Sequence, residues 1–187
     1  MMKLTKILKN ILLEGENYDY GAVILNIDNT PFNHVYSFIE DSELYDGDEM
    51  EKGIEDEPHC TLIYGLTEPT DITTIQNIIK NYTFGNLIIN NPSLFKKKGY
   101  DVLKFDVVED NVSNINKKLL ELPSDNLYGE YQPHITIAYL KKFKGEAIIK
   151  RLNKKGYNSF ETVPTDVVYS SIDDTVTNIQ IRKDIIK

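Results

Sequence analysis

The alternation of hydrophobic and polar positions divides the chain into amphipathic helices and short strands. The first helix is indicated by hydrophobic residues at i, i+3, i+4, i+7 and i+8, namely Leu4, Ile7, Leu8, Ile11 and Leu12. This spacing predicts a helix over residues 1–15 that ends at Gly15 and either packs on the protein or serves as a docking or targeting peptide. Residues 16–187 are expected to form a single domain.

Within that domain, strand patterns alternate with helical patterns. Runs rich in β-branched and aromatic residues predict strands near 20–27, 86–95, 100–108, 163–170 and 175–182. Helical spacing of hydrophobic residues predicts helices near 31–40, 111–121 and 145–155, and a further one capped by Thr70. We therefore predict an α+β fold made of two pseudo-symmetric lobes, each with antiparallel strands and helices.

One sequence motif occurs twice. Residues 57–66 read EPHCTLIYGL and residues 132–140 read QPHITIAYL, so both contain Pro-His-x-Thr-(Leu/Ile)-x-Tyr. Their histidines, His59 and His134, are 134 − 59 = 75 residues apart and are two of the 3 histidines in the chain. A repeat at this distance predicts two related lobes that each contribute one histidine and one threonine to a shared site.

The residue types of this motif suit acid–base chemistry at phosphorus. Each motif follows a proline and is rich in β-branched residues, which predicts the start of a strand. Alternate side chains of a strand share a face, so His59 lies beside Thr61 and His134 beside Thr136. Imidazole transfers protons near neutral pH, and a threonine hydroxyl donates to an anionic oxygen. We predict that these four residues are catalytic, with a base, an acid and two donors to a phosphodiester.

The neighbouring residues of the motif are given structural roles. Cys60 lies between the histidine and the threonine of the first motif, so it is expected to face the core. By the same alternation, Tyr64 and Tyr139 are expected on the core side. His34 has no partner motif and is treated as structural or exposed.

Tandem His-x-Thr motifs, each followed by a hydrophobic residue, resemble those of the 2H phosphoesterases, which include the RNA 2′-5′ ligase/cyclic phosphodiesterase-like proteins. The resemblance covers about residues 20–140, and the run EDEPHCTLIYGL at 55–66 is similar to a subgroup found in tailed bacteriophages. Some members of the broader viral set destroy cyclic oligonucleotide signals of bacterial immunity (anti-CBASS nucleases). The resemblance implies a 2H phosphoesterase fold with both motifs facing a central cleft, and catalysis that needs no metal or other cofactor.

Composition narrows the class of partner. The chain has 187 residues, a net charge of −8 and a pI near 4.9, which argues against a protein that coats nucleic acid. The sequence has no apolar run of the roughly 20 residues that span a bilayer, so no membrane is expected. A single cysteine excludes an intrachain disulfide and fits a reducing, cytoplasmic setting.

Further residues are candidates for substrate binding. Tyr100, Tyr128 and Tyr131 lie near the second motif or a lysine run, where a base could stack on them. Lys141 and Lys142 follow the second motif directly and are the expected source of positive potential near the site. Each of these residues also has a structural alternative, as an amphipathic packing residue or a solvated turn.

The segment 40–57 is strongly acidic, with Lys52 as its one basic residue. We weigh two interpretations, a solvated loop and an acidic lid over the site. Asp46, Gly47, Asp48 and Glu49 do not match the spacing of an EF-hand, and no metal site is predicted.

The function predicted from these features is cleavage of a nucleotide phosphodiester. Cyclic di- or trinucleotide immune signals are the favoured substrate, as a viral counter-defence in the host cytoplasm. The alternatives are processing of RNA ends with a 2′,3′-cyclic phosphate, a nucleotide-binding sponge without turnover, and a virion protein. In the virion alternative the N-terminal helix would dock to a phage capsid or a host factor.

Overall fold

The computed structural model describes residues 20–47, 52–125, 129–173 and 175–183. The predicted helix over 1–15 lies outside the described residues. The fold is α+β, with a curled antiparallel sheet of eight strands and four α-helices. The strands of this sheet are β1 (Gly21–Ile27), β2 (His59–Leu66), β4 (Leu87–Lys96), β5 (Tyr100–Val108), β6 (His134–Lys141), β7 (Ser159–Thr162), β8 (Pro164–Ser170) and β9 (Val176–Ile179). The helices are α1 (Asn33–Tyr36), α2 (Ile72–Lys80), α3 (Asp110–Leu119) and α4 (Gly145–Lys155).

Two further strands, β3 (Thr83–Phe84) and β10 (Arg182–Lys183), form a small parallel sheet. The strand order of the main sheet is β7-β4-β5-β6-β2-β1-β8-β9, so the two motif strands, β6 and β2, are its central pair. We call β2-β1-β8-β9 the first half and β6-β5-β4-β7 the second half. β2 and β6 pair antiparallel through Cys60 and Ile135.

The main hydrophobic core lies between the sheet and the helices. The helices contribute Ile75, Ile79, Val112, Ile115, Leu119, Ile148 and Leu152, all fully buried. From the sheet, Cys60 and Ile135 point into this core from the two motif strands, which confirms the placement predicted for Cys60. Burying one such aliphatic side chain contributes about 1.5–3 kcal/mol relative to exposure. The helices therefore cover one face of the sheet, and the motif histidines lie on the other, which we call the site face.

Several element boundaries differ from those predicted. The N-cap of α2 is Asp71, whose carboxylate accepts from the Thr73 amide, whereas the Thr70 amide donates to the Tyr169 hydroxyl. The predicted cap at Thr70 was wrong because an aspartate one residue later fits both the cap geometry and the helix dipole. The helix expected over 31–40 is a 3-10 turn followed by the short α1.

Strand β7 was missed by the sequence analysis. It pairs with β4 at one edge of the sheet, from Leu87 opposite Thr162 to Asn90 opposite Ser159. Its sequence, SFET, is only four residues long and carries no extended β-branched run. Short edge strands of this kind give a weak signal because only one neighbour defines them.

The first motif strand has a β-bulge directly after its threonine. In β2, Ile24 of β1 pairs with Thr61 and Val23 pairs with Ile63, so Leu62 is an extra residue. The extra residue shifts the alternation of side chains by one. Tyr64 consequently lies on the site face, where it packs against Ile24 and Ala22.

The second motif strand has the same bulge at the same place. Lys104 of β5 pairs with Thr136 and Leu103 pairs with Ala138, which leaves Ile137 as the extra residue of β6. Tyr139 then pairs with Val102, outside the main core. The expectation that the motif tyrosines face the core was wrong for both strands, because strict alternation does not hold across a bulge.

Beyond their single pairing, the motif strands diverge, and each accepts a segment that precedes the other motif. On the β6 side, Leu44 bridges to Leu140 and Ile54 bridges to Ala138. In the first half, Ser124 bridges to Leu66, and the Asp125 amide donates to the Gly65 carbonyl at 2.8 Å.

The bulge carbonyls are satisfied by different partners in the two halves. The side-chain amide of Asn116, on α3, donates to the Leu62 carbonyl at 2.7 Å. The Ile137 carbonyl accepts instead from the backbone amide of Glu55 at 2.8 Å. Because a buried carbonyl without a partner costs about 1–3 kcal/mol, both bonds support the bulges that shape the site face.

Candidate active site

The structure brings the four predicted catalytic residues to the junction of β2 and β6. Next to the pair formed by Cys60 and Ile135, the antiparallel register places His59 beside Thr136 and Thr61 beside His134. All four motif residues are half-buried on the site face. Each histidine therefore lies opposite the threonine of the other motif on the neighbouring strand. Its own threonine follows two residues later on the same strand.

Both imidazoles are held by the same hydrogen bond. His59 Nδ1 lies 2.9 Å from the Glu57 carbonyl oxygen, and His134 Nδ1 lies 2.8 Å from the Gln132 carbonyl oxygen. A carbonyl oxygen can only accept, so Nδ1 carries the hydrogen in each ring. The bond leaves Nε2 of each neutral ring as an acceptor for a proton, and the same atom donates once the ring is protonated.

Burial favours the neutral form of both imidazoles. Burial lowers the pKa of His59 below its usual value of 6.5, the bond to Glu57 opposes this, and the charge of a protonated His134 lowers it further. Burial also lowers the pKa of His134. The bond to the Gln132 carbonyl and the carboxylate of Asp106 oppose this lowering of the His134 pKa, whereas the ammonium of Lys104 adds to it.

Each histidine lies beside a hydrogen-bonded pair of one asparagine and one aspartate, but the residue that pairs with the histidine across the strands differs between the halves. In the first half, Asn26 pairs with His59 across the strands and donates to Asp166 at 3.2 Å. In the second half, the residue paired with His134 is Asp106, which accepts from Asn91. The first histidine thus has a neutral neighbour and the second an acidic one.

The second half also contains a lysine that the sequence analysis did not identify. Lys104 is 6% exposed, pairs with Thr136 across the strands, and makes an ion pair with Asp106. Its ammonium lies 5.0 Å from the centre of the Phe95 ring, which contacts the His134 ring edge to face at 4.9 Å. A single lysine inside the hydrophobic run VLKFDVV was the available signal.

The three tyrosines proposed for substrate binding are in different positions. Tyr131 packs against the core, and its hydroxyl donates to the Thr61 carbonyl at 2.7 Å, so this group joins the two motif regions. Tyr100 begins β5 and its ring stacks on Tyr45 at 4.9 Å. Tyr128 lies outside the described residues.

Lys141 and Lys142 lie away from the histidines. Lys141 ends β6, seven residues after His134, which is roughly 20 Å along a strand. Its ammonium donates to the Ser42 carbonyl, and that of Lys142 pairs with the buried Asp101 at 2.8 Å. The structure therefore does not bring these lysines beside the imidazoles, because the strand carries them to the opposite end of the sheet.

The described parts of the acidic segment, 40–47 and 52–57, are attached to the second half. The Tyr45 amide donates to the Tyr139 carbonyl at 2.9 Å, and Glu43, 6% exposed, pairs with Arg151. The Arg151 pair lowers the pKa of Glu43, against the effect of burial. These contacts favour neither a freely solvated loop nor a lid for these residues.

Among the described residues, no group of three or more histidine, cysteine, aspartate or glutamate side chains has the geometry to hold a metal ion. Within the same ranges, no helix is both long and apolar enough to cross a membrane.

No family model matches the chain, and a search of curated proteins found no match either.

Proposed function

We propose that this chain is a phosphodiesterase of the 2H phosphoesterase type, which cleaves a nucleotide phosphodiester without a metal ion. The observation that supports this most strongly is the matched Nδ1 bond of His59 and His134, which leaves Nε2 of both rings for proton transfer. A histidine held only for packing would not need the same tautomer and the same backbone partner in both halves of the sheet.

The proposed reaction is an in-line displacement at phosphorus. One imidazole takes the proton from the attacking oxygen, either of water or of a ribose 2′-hydroxyl, while the other protonates the leaving oxygen. Thr61 and Thr136 donate to the non-bridging oxygens as negative charge develops on them. Each threonine is the cross-strand neighbour of the other motif's histidine, which supports a reaction in which acid, base and donors act on one phosphate.

Cyclic di- or trinucleotides are the proposed substrates. This choice rests on the resemblance of residues 55–66 to the bacteriophage subgroup and on the acidic net charge of −8, which disfavours long polyanions. In that setting the protein would act in the host cytoplasm against a nucleotide signal.

The test is incubation with a panel of cyclic di- and trinucleotides and an RNA oligomer that ends in a 2′,3′-cyclic phosphate, all in EDTA. Products are read by chromatography and mass. We expect the wild type to open a cyclic oligonucleotide and the His59→Ala/His134→Ala variant to be inactive. The matched control is His34→Ala, because the exposed His34 stacks on Tyr157 and should not affect turnover.

Three other outcomes have definite meanings. Opening of the RNA end alone would keep the mechanism and replace the substrate. Tight binding of a nucleotide without product would support the sponge. Equal turnover by the wild type and the double variant would overturn the proposed mechanism.

A further inference from the structure

The site face is not symmetric at the positions that pair with the motif threonines. Ile24 pairs with Thr61 in the first half, and Lys104 pairs with Thr136 in the second. Ile24 is fully buried and Lys104 is 6% exposed. Because isoleucine fills the corresponding position of the first half, the backbone geometry of a motif strand does not itself require a cation there.

Burying an ammonium is costly, and an apolar residue would be cheaper in a position of this kind. Lys104 makes an ion pair with one oxygen of Asp106, and the other oxygen accepts from the Asn91 side chain. Phe95 lies against both the ammonium of Lys104 and the ring of His134. The lysine is therefore held in a fixed position beside the second His/Thr pair.

The ammonium also has unused donors. A lysine ammonium has three N–H groups, and among the described residues its one hydrogen-bond acceptor is Asp106. On the opposite side, Ser93 pairs with Lys104 across the strands, and its buried hydroxyl has no partner within the described ranges. Polar groups without partners at such a depth indicate a place where an anionic ligand could complete the hydrogen bonds.

We propose that Lys104 is a phosphate-binding residue that acts with Thr136 only, so that the scissile phosphate is held more strongly by the second half of the site. This inference rests on the proposed function. The ammonium donates to a non-bridging oxygen next to the Thr136 hydroxyl, while Asp106 and Phe95 position it. The first half supplies Thr61 beside the apolar Ile24 and holds the phosphate through the hydroxyl alone.

The test compares Lys104→Met with the wild type and with Ile24→Met, which changes the corresponding position of the first half. Binding of inorganic phosphate is measured by calorimetry at two salt concentrations, and kcat and KM are measured on whichever substrate the wild type opens. We expect Lys104→Met to weaken phosphate binding at least tenfold and to raise KM, while Ile24→Met binds phosphate like the wild type. The salt dependence of binding should decrease in Lys104→Met alone.

A second variant separates the loss of the lysine from misfolding caused by an unpaired carboxylate. Lys104→Met/Asp106→Asn removes the carboxylate that Lys104→Met leaves without its cation, and it should show the same loss of phosphate binding. Unchanged phosphate affinity in either folded variant, or no phosphate binding by the wild type, would overturn the inference.

The two proposals fail in different ways. Turnover by the wild type with unchanged kinetics and phosphate affinity in Lys104→Met would overturn the role of Lys104 and keep the phosphodiesterase. Lysine-dependent phosphate binding without cleavage of any phosphodiester in the panel would keep the anion site and overturn the phosphodiesterase.

Discussion

The two halves of the sheet have the same backbone features around their motifs, but the residues beside the two His/Thr pairs differ in charge. Both motif strands have a bulge after the threonine, and both histidines donate through Nδ1 to a carbonyl two residues earlier. The neighbours of the first pair are Ile24 and Asn26, whereas those of the second are Lys104 and Asp106. Geometry for proton transfer is thus common to both halves, and electrostatics distinguishes them.

The features that both halves share are the ones that a motif strand needs. The bulge turns the motif tyrosine to the face of the histidine and threonine, and the carbonyl fixes the ring tautomer, so both belong to the shared geometry. The cross-strand neighbours tolerate isoleucine in one half and lysine in the other. Differences between the halves are therefore expected in the binding of the phosphate more than in the position of the rings.

The largest expected effect is the loss of either histidine. His59→Ala and His134→Ala should each lower kcat by about 10²–10⁴-fold, because each removes one of the two proposed proton-transfer groups. Steady-state kinetics on the substrate found with the panel measures this, beside His34→Ala. Near wild-type turnover in either motif variant would break the equivalence of the two halves.

The threonines should show a smaller and unequal effect. Thr61→Val is expected to cost on the order of 10²-fold in kcat, as for the loss of one oxyanion donor. Thr136→Val should cost less, because Lys104 pairs with Thr136 across the strands and is proposed to donate to the same phosphate oxygen. The ratio of the two losses, measured on the same substrate, tests the asymmetry. Equal losses of kcat would mean that Lys104 does not contribute to the interaction that Thr136 makes with the phosphate.

Removal of the bulge support in the first half should affect stability. Asn116→Ala leaves the buried Leu62 carbonyl without its side-chain donor and should lower the free energy of unfolding by about 1–3 kcal/mol. The control is Asn114→Ala, an exposed position of the same helix, for which a change within about 0.5 kcal/mol is expected. Urea unfolding followed by circular dichroism measures both. A loss in Asn116→Ala no larger than the control's would show that this bond does not stabilise the bulge.

The pH dependence gives the finest comparison. Burial lowers the pKa of both histidines below 6.5, so the bell-shaped profile of kcat/KM should be centred below that value and fall as pH rises and the acid loses its proton. The ammonium of Lys104 lowers the pKa of His134, so Lys104→Met should raise that pKa and move one limb of the profile to higher pH. A profile centred above 6.5 in the wild type would contradict the effect of burial.

Much of the architecture follows from the sequence because hydrophobic periodicity reflects which face is buried. The predicted strand near 100–108 is observed as Tyr100–Val108, and the helix near 145–155 as Gly145–Lys155. The α+β class is confirmed. The placement of the four motif residues on one face also agrees, since no bulge separates each histidine from its threonine.

The remaining features depend on contacts between residues distant in sequence. A bulge after the threonine requires a partner for the freed carbonyl, and that partner is Asn116 in one half and the Glu55 amide in the other. The hydrophobic periodicity of a motif strand carries no information about either partner, because both lie far away in the sequence. Lys104 was overlooked for a similar reason, because its significance comes from pairing with Thr136 across two strands.

The central claim is that His59 and His134 act together on one phosphate through Nε2. Long-range ¹H–¹⁵N NMR of the three histidine rings, recorded with and without orthovanadate as a probe, tests it most directly. At pH 7 we expect both motif rings to be neutral with the hydrogen on Nδ1, and both Nε2 signals to shift when orthovanadate binds, while His34 stays unchanged. Hydrogen on Nε2 in either neutral ring of the protein without orthovanadate, or a response from only one ring on binding, would contradict the claim.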